Sequence, residues 1–250
     1  METGIQVSSL KPLLTTAEQV KEAFQKLSGL GCSLVQLQWI DPCVPAESIA
    51  AALLESGIRS VSVQDFYETV RTNFTYYTEL NAVTGGEWIC VSRIPEHLKS
   101  REGLDAFLTE LTKMQSELTG RGQKLCFHPV SADFLAVPGM DAVGYLLEKM
   151  PELPLCLDLY HLSHFCKDMP SYIRRYAGRI CMVHMKDHIG DTLVPAGQGE
   201  IDWTGVVSAC MMAGVPYAFV EQERFQRDPY LCLKKASDWL EREICAAKKD

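Results

Sequence analysis

Four short apolar runs in the second half of the chain each close on a side chain that can bind a metal or move a proton. They are Leu125-Cys126-Phe127-His128, Leu155-Cys156-Leu157-Asp158, Met182-Val183-His184 and Phe219-Val220-Glu221. A single histidine at such a place is ordinarily structural. A carboxylate buried without a partner is costly. If the runs are neighbouring parallel strands, two imidazoles and two carboxylates converge at one end of a sheet, and their charge calls for a cation. A divalent metal ion answers that need. Mixed nitrogen and oxygen donors suit Mn2+, Co2+, Zn2+, Fe2+ or, less well, Mg2+. The expected ligands are His128, Asp158, His184 and Glu221, and the competing reading is a hydrogen-bonded polar layer without metal.

Other polar residues lie close by in the sequence. Lys186 alternates with His184, so an extended chain puts both on one side. It is a candidate for binding a substrate oxygen or phosphate. His161 stands three residues after Asp158 in Asp158-Leu159-Tyr160-His161, where it can position a substrate hydroxyl. The polar stretch IGDTLVPAGQGEIDW after His188 reads as a surface loop, or as a cover for a substrate. Gln38, Trp39, Phe66, Tyr67 and Arg93 are candidates for the pocket wall, with Trp39 and Phe66 able to stack on a sugar face or simply to pack.

Elements of regular spacing must hold these residues. Eight apolar runs recur, at 4–8, 34–40, 60–63, 88–91, 124–128, 155–159, 180–185 and 217–220. Near-continuous apolar runs of this length suit strands covered on both faces. Amphipathic stretches at 17–30, 46–55, 104–118, 140–150, 202–213 and 229–247 predict helices between them, the first capped by Thr16. Repeated βα units over 250 residues predict an α/β fold, a (β/α)8 barrel forming a single domain across 1–250. An open doubly wound sheet is second, because no Gly-rich first βα turn is present. In such a barrel the active site sits at the C-terminal strand ends.

Composition narrows the function. The formal charge is −8 with Lys and Arg scattered, which disfavours nucleic acid as a partner. The chain lacks an apolar run long enough to span a membrane, and its first residues do not read as a secretory leader, so a cytoplasmic location is expected. Ten cysteines occur with no CxxC pair, and they read as small buried hydrophobes in a reducing compartment.

The segments DLYH, VHMKD, PAGQGEIDW and FVEQE, within residues 120–225, resemble the xylose-isomerase-like barrels, the group of the sugar phosphate isomerases/epimerases. The resemblance implies a TIM barrel with one divalent metal held by Glu, Asp, His and Glu of successive strands. Asp158, His184 and Glu221 match the last three, and His161 matches a histidine that contacts substrate. Where the ketose epimerases carry the first Glu, this chain has His128. Its segment FHPVSADF is closer to a Tyr-His-Asn-His-x-x-Glu-Phe stretch of another branch, with Val130 at the second His and Asp133 at the acidic position. The implied activity is metal-dependent isomerisation or epimerisation of a sugar, sugar phosphate or keto-polyol through an enediolate. Glu221 would be the base, with His128 as a ligand or as the second acid/base. A dehydratase of the inosose type and a non-catalytic sugar-binding barrel are the alternatives. A multi-zinc phosphodiesterase is disfavoured by the presence of only six histidines. The partner is a small carbohydrate, with a homo-oligomer left open.

Overall fold

The computed structural model describes residues 1–248. Its strands are β1 (Glu2–Gln6), β2 (Leu34–Gln38), β3 (Arg59–Phe66), β4 (Trp88–Ser92), β5 (Lys124–His128), β6 (Leu155–Asp158), β7 (Ile180–Met185), β8 (Asp187–Ile189), β9 (Thr192–Val194) and β10 (Tyr217–Val220). Its helices are α1 (Ala17–Gly29), α2 (Ala46–Ser56), α3 (Tyr67–Thr72), α4 (Phe74–Val83), α5 (Arg101–Thr119), α6 (Ser131–Phe134), α7 (Ala142–Lys149), α8 (Leu159–Ser163), α9 (Met169–Arg175), α10 (Val206–Met212) and α11 (Pro229–Ala247).

Eight strands pair in parallel and close in the order β1-β10-β7-β6-β5-β4-β3-β2. Closure settles the fold as a (β/α)8 barrel and excludes the open sheet. Side-chain oxygens start the helices: Thr16, Ser100, Asp141, Asp158, Asp168 and Asp228 each accept a backbone N–H from the first turn that follows. The core has two parts. A large apolar layer lies between strands and helices, with Phe24, Phe107, Phe127 and Phe134 fully buried. A smaller cluster fills the barrel: Leu34, Val61, Cys90, Cys126, Cys156, Cys181, Met182 and Phe219. Phe219 fits there because Gly4 on the neighbouring strand has no side chain, and a Cβ would collide with the Phe219 ring and the Leu34 carbonyl. All ten cysteines are free thiols; six are buried, whereas Cys43 and Cys245 are exposed.

Several elements depart from the periodic pattern. β1 covers Glu2–Gln6, and a 3-10 turn over Val7–Leu13 takes the place of the expected extension to Ser8. α3 and α4 arise where no apolar stripe is visible, because α4 buries Thr78 and Asn81 alongside Tyr77 and Leu80. The polar stretch after Lys186 is partly a hairpin, β8 against β9. No described helix is long and apolar enough to cross a membrane.

One buried carboxylate shapes the chain after this hairpin. Asp187 accepts hydrogen bonds from the backbone N–H of His188 (2.8 Å), Gly197 (3.1 Å), Gly199 (3.0 Å) and Ile201 (3.2 Å), and from Trp203 Nε1 (2.9 Å). This explains the paired Lys-Asp and Gly-x-Gly-x-Ile-Asp-Trp segments: the first provides the acceptor and the second wraps around it. Gly199 approaches so closely that a Cβ would lie inside the contact distance of Asp187 Oδ1 and the His188 carbonyl. Asp187→Ala should strand several buried donors and lower stability by about 3 kcal/mol or more. Gly199→Ala should act in the same direction through the clash. Urea denaturation measures both, and a loss under about 0.5 kcal/mol for either would refute the clamp.

Candidate active site

The ends of β5, β6, β7 and β10 bring their closing residues together at the C-terminal mouth, where a barrel of this kind places its site. Strand register aligns them: Asp158 is level with His184, and His184 with Phe219, one turn of the pleat below Glu221. His128, Asp158, His184 and Glu221 are all buried, at 4%, 0%, 0% and 5% exposure. His184 Nδ1 lies 3.2 Å from Glu221 Oε2, 3.9 Å from Asp158 Oδ2 and 3.2 Å from His128 Nε2. His128 Nε2 is 3.8 Å from Asp158 Oδ2. Asp158, His184 and Glu221 offer three donor atoms within 4.8 Å of one another.

Asp158 and Glu221 are each tied on one oxygen and open on the other, while both ring nitrogens of His184 have partners. Asp158 Oδ1 caps α8 by accepting the His161 N–H at 3.0 Å, while Oδ2 has no hydrogen bond. Glu221 Oε1 accepts the Ser8 hydroxyl at 2.9 Å, while Oε2 has none. His184 Nε2 meets Gln36 Oε1 at 2.5 Å, and that oxygen also accepts the Gln6 amide at 2.9 Å. An amide oxygen can only accept, so Nε2 carries the proton and Nδ1 faces the cluster. Three tethered donors aimed at one point fit a divalent cation. Donors about 2.1 Å from a shared ion lie roughly 3.0–3.5 Å apart; His184 Nδ1 and Glu221 Oε2 meet this at 3.2 Å, and Asp158 Oδ2 stands somewhat wider, 3.9 Å from His184 Nδ1. His128 differs: its Nε2 faces the cluster, but its buried Nδ1 has no partner to fix the ring.

Lys186 reaches the same point. Its Nζ is 3.1 Å from Glu221 Oε2 and 3.4 Å from Asp158 Oδ2, and it hydrogen-bonds Glu223 Oε1 at 2.9 Å. Burial opposes its charge, yet Glu221, Asp158 and Glu223 outweigh that and hold it as an ammonium. Burial likewise pushes Asp158 and Glu221 upward, but the Lys186 charge and the nearby imidazoles bring both well below the usual carboxylate range. Both are therefore ionised. Burial opposes a charge on His184 as well, but Cys156 and Glu221 hold its imidazole well above the usual histidine range, so it shares the balancing charge with Lys186. Burial and the Glu221 charge raise the Glu223 carboxyl.

His161 stands beside the cluster, with Nε2 3.8 Å from Asp158 Oδ2 and Nδ1 2.9 Å from the Ser131 hydroxyl. Burial lowers its pKa to about 4, so it is neutral at pH 7. The structure brings the four closing residues, His161 and Lys186 to one place. Asp133 does not join them. Its Oδ1 accepts the Ile94 N–H at 3.2 Å and its Oδ2 the Val130 N–H at 2.9 Å, so it braces two mouth loops. His188 also stays outside, its Nδ1 2.9 Å from the Gly190 carbonyl. Gln6, Ser8 and Gln36 are supports that the motif reading missed. Their only sequence signal is polar residues alternating within the apolar runs at 4–8 and 34–40.

Known proteins agree with this architecture. The family described as xylose isomerase-like TIM barrel matches residues 4–243, and the chain belongs to it. Among solved structures it is similar to a sugar phosphate isomerase/epimerase from Parabacteroides distasonis ATCC 8503, with a TM-score of 0.78 at 14% identity, over 95% of this chain and 92% of that one. It is also similar to 3-keto-D-glucoside 4-epimerase from E. coli, with a TM-score of 0.71 at 18% identity, over 97% and 99% of the two chains. The IOLI protein, solved with a bound zinc atom, gives a TM-score of 0.78 at 14% identity over 99% of both chains. At these identities the likeness is one of fold. No curated protein matches the chain.

Two outcomes test the site. Lys186→Met removes a positive charge beside both open carboxylate oxygens, so Mn2+ or Co2+ affinity, measured by chelator competition, should rise by about tenfold or more. A fall would assign Lys186 to holding the cluster in shape. Asp133 is raised to about 6 by burial, from an unfolded value of 3.8. Between those values the folded chain binds more protons than the unfolded one, so this group's contribution to stability declines as pH rises through the window. A shift of that size is worth about 3 kcal/mol. The melting-temperature advantage of wild type over Asp133→Asn should therefore shrink from pH 4 to pH 7, and a gap that widens would contradict the assignment.

Proposed function

We propose that the chain is a divalent-metal-dependent isomerase or epimerase of a carbohydrate, working by proton abstraction next to a carbonyl. The observation that carries this reading is Glu221 Oε2. It is ionised, buried and without a hydrogen bond, and it faces the point shared by His184 Nδ1 and Asp158 Oδ2. Membership of the xylose isomerase-like family and the zinc held by one structural relative support it.

His128, Asp158, His184 and Glu221 are the residues proposed to hold the metal. A divalent metal there supplies Lewis acidity toward adjacent carbonyl and hydroxyl oxygens. Glu221 accepts the proton from the carbon next to the carbonyl. The Lys186 ammonium faces the negative charge that builds on the enediolate oxygen and stabilises it in a water-poor site. Neutral His161, oriented by Ser131, is suited to a substrate hydroxyl as either donor or acceptor. Return of the proton to the neighbouring carbon completes an isomerisation; delivery to the opposite face of the same carbon completes an epimerisation. His128, whose Nε2 lies 3.2 Å from His184 Nδ1 and 3.8 Å from Asp158 Oδ2, is the candidate for that delivery.

The test is turnover on a panel of ketoses and inososes with added Mn2+, followed in deuterated water. Solvent deuterium should enter the product at the reacting carbon, and Glu221→Gln should slow turnover by about 10²–10⁴-fold. His128→Ala should leave deuterium exchange intact and stop inversion if His128 is the second acid/base. Near-native turnover by Glu221→Gln would remove the mechanism, and a dehydrated product would move the reading to a lyase.

A further inference from the structure

The half of the mouth built by the first strands holds a feature that the proposed proton chemistry does not use. Trp39 and Arg93 directly follow β2 and β4, with φ of 56° and 67°, and they are the only non-glycine residues with positive φ among those described. Bulky side chains seldom hold this left-handed conformation, and where they do, ligand clamps are a frequent setting. Phe66, the last residue of β3, joins the two. Its ring centroid is 5.9 Å from that of Trp39, and Arg93 Cζ lies 4.3 Å over its ring. Lys11 Nζ is 4.8 Å over Trp39. A row of cation, aromatic, aromatic, cation therefore crosses the ends of the first four barrel strands, facing the acid and histidine cluster on the other side.

Arg93 is the unassigned charge in this row. It is exposed and enters no ion pair among the described residues. It borders a cavity of about 550 Å³ whose wall also includes Ser92, Lys99, Ser131 and His161. Two carboxylates belong to that wall: Glu96 pairs with Lys99 at 2.9 Å, and Glu68 is exposed, 3.9 Å from His97; neither forms an ion pair with Arg93. His161 is also 3.8 Å from Asp158 Oδ2, so one residue separates the cavity from the candidate reaction centre. Phe66 supports the guanidinium without neutralising it, which leaves its forked N–H groups free for a bidentate acceptor.

We propose that Arg93 receives an anionic group, a phosphate or a carboxylate, at the end of the substrate remote from the reacting carbons. The substrate is then a charged sugar, a sugar phosphate or a sugar acid. This rests on the reading of the site as one that acts on carbohydrate. A neutral sugar leaves the guanidinium unsatisfied by ligand, and a charged one gains a charge-assisted pair. The anion is bound away from the metal-facing residues, so the two ends of the substrate are recognised independently.

The experiment is calorimetric titration of the metal-loaded protein with fructose, fructose 6-phosphate, glucuronate and inorganic phosphate. At least one charged sugar should bind about ten- to a hundredfold more tightly than fructose. The ester and the acid separate a phosphate site from a carboxylate site. Arg93→Gln should erase that preference while changing fructose binding by less than about twofold. Arg93→Gly should erase it too, yet melt at a higher temperature than wild type, because glycine relieves the left-handed backbone. Equal binding of charged and neutral sugars overturns the proposal, as does loss of fructose and ester binding in parallel in Arg93→Gln. So does failure of every charged probe to bind at up to about 10 mM. The parent reading is scored separately, by deuterium incorporation into neutral ketoses; its persistence without a charge preference sinks only the present inference.

Discussion

Two ionised carboxylates share one desolvated point at the mouth of this barrel, and much of the surrounding structure answers to that fact. Asp158 and Glu221 are almost wholly withdrawn from water, and each keeps an oxygen with no hydrogen bond. Isolated, such charges would cost several kcal/mol each. The chain meets the cost in parts. A helix N-terminus and a serine hydroxyl hold the tied oxygens, and the Lys186 ammonium lies within ion-pair reach of the free ones. His184, held well above the usual histidine range by Cys156 and Glu221 against the cost of burial, meets the rest.

The same constraint organises the interior below. Gln36 and Gln6 occupy barrel positions that would otherwise be apolar, and they carry a chain of hydrogen bonds from β7 across to β1. Through it the tautomer of His184 depends on residues at the other end of the sequence. Supports of this kind are often as important to a metal-binding histidine as its own position. His128 lacks such a support on Nδ1; its ring is held only through Nε2, 3.2 Å from His184 Nδ1.

Much of this was visible in the sequence, and the reasons are physical. Strands covered on both faces must be apolar throughout, so β5, β7 and β10 stood out with the boundaries they have in the fold. The polar residues that close those runs were conspicuous for the same reason. α11 was legible from its regular apolar spacing. α3 and α4 were not, because burial of Thr78 and Asn81 breaks the stripe. Gln36 could not be assigned because its partner His184 is 148 residues away. Ser8 is separated from Glu221 by 213 residues. Asp133 stands at an acidic position of a similar segment, but its two oxygens accept the backbone N–H groups of Ile94 and Val130.

Asp187 bears on how a ligand would meet the mouth. By gathering four backbone amides and an indole onto one carboxylate, it orders the chain from Gly197 to Trp203 before any ligand arrives. The conformational entropy of that segment is lost once, during folding, and need not be lost again on association. Binding then draws on a surface already in its working shape, and affinity should depend on contacts made rather than on segments recruited.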